Sequence, residues 1–98
     1  MNRAEHLLTC LGEECSEVSI RASKALRFGL SEVQPGQKMT NAQRITAELK
    51  DVWAAAIICA QAGLIPFPQP SISEIEAKRA KIEKFMAISR EQGVLSDA

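Results

Sequence analysis

Aromatic residues are scarce in this sequence: one Trp, three Phe and no Tyr, 4% of the chain. Few rings are left on which nucleic-acid bases could stack. There is also no surplus of either charge. Twelve Lys plus Arg balance 12 Asp plus Glu, whereas a protein that wraps a polyanion carries a basic excess. Nucleic acid is therefore not an expected partner. Long apolar runs are missing too. The longest, Val52–Ala60, falls well short of the roughly 20 residues a helix needs to span a bilayer, so no membrane association is expected. Three cysteines, Cys10, Cys15 and Cys59, form no CxxC pair. Their odd number, and a polar, acid-bearing start (Met1-Asn2-Arg3-Ala4-Glu5) unlike a secretory leader, lead to the expectation of reduced thiols in a cytoplasm. There is no P-loop and no Ser/His/Asp arrangement. The single histidine, His6, has no ExxH partner, which disfavours a di-iron carboxylate bundle.

With 98 residues, 46% of them apolar, the chain reads as one folded domain over residues 1–93, with residues 94–98 as a flexible tail. A chain this short buries a limited core, and oligomerisation is a common remedy. Charge is balanced overall but segregated locally. Acids gather at Glu13–Glu17, bases at Arg21–Arg27 and Lys78–Lys84.

The apolar spacing predicts an all-α fold of three main helices. Leu7, Leu8, Leu11, Val18, Ala22, Ala25 and Leu26 mark a first helix from about Arg3 to Arg27, stopped at Gly29. Leu30–Met39, with the turn dipeptide Pro35-Gly36, reads as a long loop and a candidate active-site flap. Ile45, Leu49, Val52, Ala56, Cys59 and Ala60 mark a second helix from about Asn41 to Ala62, capped by Thr40 or Asn41 and followed by Gly63. Leu64–Pro70 holds three prolines and cannot be helix interior. A third helix starts at Ser71 or Ser73, each with a glutamate three residues on, and runs to about Gln92. Nowhere does strand-like alternation persist.

The acids are placed regularly. With Leu11 set to zero and about 100° per residue, Cys15, Val18 and Ala22 fall within about 40° of it, Glu14 near about 300° and Glu17 near about 240°. Glu13 points to about 200°, away from this shoulder. With Ile45 set to zero, Glu48 falls near about 300° and Asp51 near about 240°. Both helices thus carry two acids on the same shoulder of the apolar stripe. If the stripes face one core, Glu14, Glu17, Glu48 and Asp51 can converge. Carboxylates at close range raise one another's pKa, and a divalent cation removes the conflict. Oxygen-only donors suit a hard ion, Mg²⁺ or Mn²⁺. A solvated acidic face remains the alternative, since such pairs are common on helix surfaces.

Glu13-Glu14-Cys15-Ser16-Glu17 followed by Glu48-Leu49-Lys50-Asp51 resembles the EExxE…ExxD signature of the all-α nucleoside triphosphate pyrophosphohydrolases, a superfamily that includes MazG-like proteins and dimeric dUTPases. Ser23-Lys24-Ala25-Leu26-Arg27-Phe28-Gly29-Leu30, with Gln34-Pro35-Gly36-Gln37 after it, is similar to the small phage-borne MazG-like branch. The resemblance covers about Leu7 to Lys84. It departs in the segment between Glu17 and Glu48, which is long for the family and implies a larger loop, and in the scarcity of aromatics. It implies a MazG-like fold and hydrolysis of an NTP or dNTP to the NMP and pyrophosphate. By position it makes Glu14, Glu17, Glu48 and Asp51 the ligands of Mg²⁺ or Mn²⁺. It makes Glu13, the outer acid, a catalytic candidate alongside Glu14 and Glu17, which can bind a second metal, orient water or only form an ion pair. A catalytically silent helical nucleotide-binding or protein-interaction module is the alternative function.

The basic residues leave two readings each. Lys24 and Arg27 can contact the phosphates or lie in solvent. Lys81 and Lys84 can do the same from the third helix. Arg21, four residues after Glu17, can form an intrahelical ion pair. Trp53 either stacks on a base or belongs to the core it borders. Because Val52–Ala60 is apolar nearly all round, a homodimer or homotetramer built on a four-helix-bundle core is expected.

Overall fold

Each helix begins at a residue whose side chain competes well for free backbone N–H groups. The computed structural model describes residues 1–96, in the order α1 (Arg3–Phe28), α2 (Asn41–Gln61) and α3 (Ile72–Glu91), with no strand among the described residues. Asn2 caps α1, accepting from the Glu5 N–H at 2.9 Å while the Glu5 carboxylate accepts from the Asn2 N–H at 3.3 Å. The same reciprocal box forms at Thr40 and Gln43 on α2 and at Ser71 and Glu74 on α3. Thr40 rather than Asn41, and Ser71 rather than Ser73, therefore hold the capping positions. Beyond α3, the Val94 and Leu95 N–H groups both donate to the Ser89 carbonyl, at 3.0 and 3.3 Å. The last two residues of the expected tail lie outside the described residues.

The chain divides into two compact units, Met1–Pro68 and the segment from Gln69 onward. The first is an antiparallel hairpin of α1 and α2. At its open end the Cys59 thiol donates to the Leu7 carbonyl at 3.6 Å. At its closed end Gly29, with φ 97°, ends α1 in a conformation that suits glycine. The chain turns again at Pro35-Gly36, where the Gln37 N–H donates to the Gln34 carbonyl at 3.0 Å and Gly36 has φ 81°. That is a type II turn, which needs positive φ at its third residue. Between these turns, the Asn41 and Ala42 N–H groups donate to the Glu32 and Leu30 carbonyls at 2.9 and 3.0 Å. The first part of the expected flap is thereby bolted to the start of α2.

The helix–helix contact uses most of the expected stripe, shifted toward the acidic shoulder. On α1 the sheltered line is Leu7, Leu11, Glu14, Val18, Arg21 and Ala25, and on α2 it is Asn41, Ile45, Glu48, Val52, Ala56 and Cys59. Leu7, Leu11, Val18 and Ala25, and Ile45, Val52, Ala56 and Cys59, belong to the expected stripes; Glu14, Arg21, Asn41 and Glu48 join them, which shifts the centre by roughly 45° on α1 and roughly 35° on α2 toward the acidic shoulder. Leu8, Ala22 and Leu26 are left exposed on α1, Leu26 to 89%. Leu49 and Trp53 stay exposed on α2, at 50% and 41%. The small side chains Ala25, Ala56 and Cys59 supply the physical reason. They are the buried apolar residues among those described, and close approach of two helices is easiest where side chains are short. The contact therefore takes in Glu14 and Glu48, and the bulky apolar flank faces outward. No described helix is long and apolar enough to cross a membrane.

In the second unit, α3 stands on its capping box. Its exposed face includes Ile72, Ile75, Ile82, Phe85 and Ile88, and an ion pair joins Arg79 and Glu76 one turn apart at 3.3 Å.

Candidate metal centre

Because the contact is rotated, the acidic shoulders of α1 and α2 meet. Glu14, Glu48 and Asp51 each place one carboxylate oxygen within 4.8 Å of the others. Glu14 and Glu48 are half-buried and Asp51 is exposed, so the cluster sits at the rim of the helix seam, sheltered on one side and open on the other. Helical spacing is what assembles it. Glu48 and Asp51 are three residues apart on one face, and the antiparallel register brings Glu14 across to them.

The electrostatics follow from that proximity. The Glu14 carboxyl is held above the usual carboxylate range, first by loss of hydration, then by the charges of Asp51, Glu48, Glu17 and Glu13. Among the described residues, no ammonium or guanidinium relieves it through a hydrogen bond. Oxygens around an octahedral Mg²⁺, bonded at about 2.0–2.1 Å, stand about 3–4 Å apart. The three carboxylate oxygens, all within 4.8 Å of one another, are close enough to be shared by a single cation. The donor set is all oxygen, which fits a hard cation.

Glu17, the fourth acid expected at the metal, is exposed and lies outside the trio, one turn further along α1. It acts on the cluster through its charge on Glu14. Glu13 is exposed, as its helical phase requires. Arg21 forms no ion pair with Glu17. Its Nε is instead buried with no hydrogen-bond partner.

The remaining expected site residues fall on all three helices. Lys24 is half-buried and shares a shallow depression of about 250 Å³ with Ser19, Ile20, Ser23 and Arg27. By helical phase Lys24 and Arg27 turn progressively away from Glu14, to about 220° and about 160°. The Arg27 guanidinium lies 4.9 Å from the centre of the Phe28 ring. Trp53 falls near about 80° on α2, on the flank opposite Asp51. Lys81 and Lys84 are exposed on α3, in the second unit.

Sequence reasoning missed the importance of Asn41. It is 3% exposed, and its side-chain amide donates to the Gly29 carbonyl at 2.8 Å and to Glu32 Oε1 at 3.3 Å. A polar residue one position inside a helix start was the available signal. In comparisons with known proteins, no family model, no curated protein and no solved structure matches the chain.

Proposed function

We propose that this chain is a divalent-cation-dependent nucleotide pyrophosphohydrolase that converts an NTP or dNTP to the NMP and pyrophosphate. The observation that carries the proposal is the convergence of Glu14, Glu48 and Asp51 from two helices onto one point, in the order and spacing of the acidic motifs the sequence resembles. The Glu14 carboxyl is held above the usual carboxylate range by loss of hydration first, then by the neighbouring charges of Asp51 and Glu48. Glu14, Glu48 and Asp51 would hold Mg²⁺ or Mn²⁺, with Glu17 available from the next turn. A cation held there would neutralise charge on the triphosphate and lower the pKa of a bound water.

The chain's own residues do the rest. The open side of the cluster at Asp51 leaves room for a polyphosphate. Glu17, exposed one turn along α1, would accept a proton from water, while Glu13 points away from the shared shoulder. The closed side, at Glu14 and Glu48, strengthens every interaction through its lower local dielectric.

A second copy of the chain is part of this proposal. Ala25, Ala56 and Cys59 make a very small core, and further burial between copies is a common remedy for a small core. Leu8 and Leu26 on α1, with Leu49 and Trp53 on α2, lie between about 40° and about 80° and converge on the flank away from the acids. Covering that flank with its own copy would complete a four-helix bundle. The test of function is pyrophosphate release from a panel of NTPs and dNTPs with Mg²⁺. Release from at least one supports an enzyme. Binding of Mg²⁺ and nucleotide without release supports the silent module.

A further inference from the structure

The two helices of the hairpin carry the same string of charge in opposite directions. Along α1 it runs Glu14, Glu17, Arg21, in steps of three and four residues. Back along α2 it runs Asp51, Glu48, Arg44, again in steps of three and four. The register is pinned at several points. Leu7 meets Cys59 at one end and Gly29 meets Asn41 at the other. Ala22 and Ile45 line one groove between them, and Glu14 meets Asp51 in the cluster. On this ladder Glu17 stands opposite Glu48, and Arg21 stands opposite Arg44.

Both arginines lie on the acidic shoulder, near about 280° and about 260°, and both are half-buried. Two guanidinium groups on one sheltered edge repel each other unless an anion lies with them. Arg21 adds the second observation: its Nε is buried without a partner, although acids lie within one and two turns of it. A buried donor left unpaired is costly, and a charged one more so.

We propose that Arg21 and Arg44 form a polyphosphate-binding subsite beside the acidic cluster. The proposal rests on the nucleotide-hydrolase reading for the identity of its anion. Its geometry favours a chain of phosphates over a single one. Helical side chains lean toward their own N-terminus, so Arg21 leans toward the acids and Arg44 leans away from them. The two charges are thus staggered along the seam. Arg21 addresses the phosphate nearest the cation, and Arg44 addresses the outer one. Guanidinium suits this task because its planar fork pairs two phosphate oxygens at once.

The experiment is calorimetric titration of the full chain with three probes: Mn²⁺ alone, inorganic tripolyphosphate with saturating Mg²⁺, and orthophosphate with saturating Mg²⁺. Wild type is compared with Arg21→Gln, Arg44→Gln and Arg21→Lys, each checked for helicity. Each Gln variant is expected to bind tripolyphosphate about tenfold or more weakly, to change orthophosphate binding little, and to bind Mn²⁺ no less tightly than wild type. Arg21→Lys keeps the charge without the fork and falls between, which covers the case of a Gln variant that does not fold. Unchanged tripolyphosphate affinity in both Gln variants overturns the subsite, and a loss confined to one overturns the paired assignment. Arginine-dependent tripolyphosphate binding without any Mn²⁺ binding upholds the subsite and removes the metal centre. Mn²⁺ binding without tripolyphosphate binding does the reverse.

Discussion

The Asn41 side-chain amide donates to the Gly29 carbonyl at 2.8 Å, tying the first residue of α2 to the end of α1. The bond satisfies a carbonyl that the helix terminus leaves free, and it fixes where α2 starts relative to α1. That register decides which residues meet further along, including Glu14 with Glu48 and Asp51. Replacing Asn41 with Leu leaves the Gly29 carbonyl without this donor in a sheltered place. The expected cost is about 1–3 kcal/mol, read as a lower denaturation midpoint in urea. Weaker Mn²⁺ binding is expected alongside. A variant as stable as wild type contradicts the role given to Asn41.

The acidic cluster is expected to cost the metal-free protein stability. Glu14→Gln removes the group whose ionisation its neighbours oppose. Its melting temperature without metal should equal or exceed that of wild type. Its rise on adding Mg²⁺ should largely disappear. A thermal melt with and without Mg²⁺ checks both. A variant that melts lower without metal and still responds fully to Mg²⁺ contradicts the site.

A pH dependence of the opposite sign is expected at α3. The Glu74 carboxyl is held below its usual range by its hydrogen bonds from the Ser71 backbone and side chain. A depressed folded-state pKa stabilises above the unfolded value and is lost as pH falls through the folded one. Wild type should therefore be more stable than Glu74→Gln near neutral pH. The two should converge as the solution is acidified below the ordinary carboxylate range. Thermal melts across that window give the comparison. A difference that persists unchanged in acid contradicts it.

Assembly is tested at the apolar flank. Leu49→Lys or Trp53→Lys puts a charge where a second copy is proposed to pack. Wild type should sediment as a dimer or larger at micromolar concentration, and either variant should shift toward monomer. A wild-type monomer contradicts the bundle.

Much of this was legible in the residues. Glycines 29, 63 and 93, and the serine and threonine caps, set three helices within a few residues because caps and stops are local chemistry. The acidic shoulder was legible for the same reason, since spacing on one helix fixes phase. The rotation of the helix contact was not. It depends on which side chains are short enough for the helices to approach, here Ala25, Ala56 and Cys59; a stripe drawn from hydrophobicity alone included these three but gave equal weight to the bulkier Leu26 and Leu49. Glu17 shows the limit of phase reasoning. It shares the shoulder with Glu14, yet a one-turn offset along the axis leaves it outside the trio.

The most direct test is pyrophosphate release by wild type and by Asp51→Ala, with Mg²⁺, across the common NTPs and dNTPs. Asp51 is an exposed member of the cluster, so its loss is expected to leave the helices intact, as circular dichroism would verify. Wild type is predicted to release pyrophosphate from at least one nucleotide. Asp51→Ala is predicted to lose at least about a hundredfold in rate, the scale of losing an electrostatic group that acts in the transition state. A folded Asp51→Ala protein that turns over as fast as wild type would contradict the metal-centred mechanism.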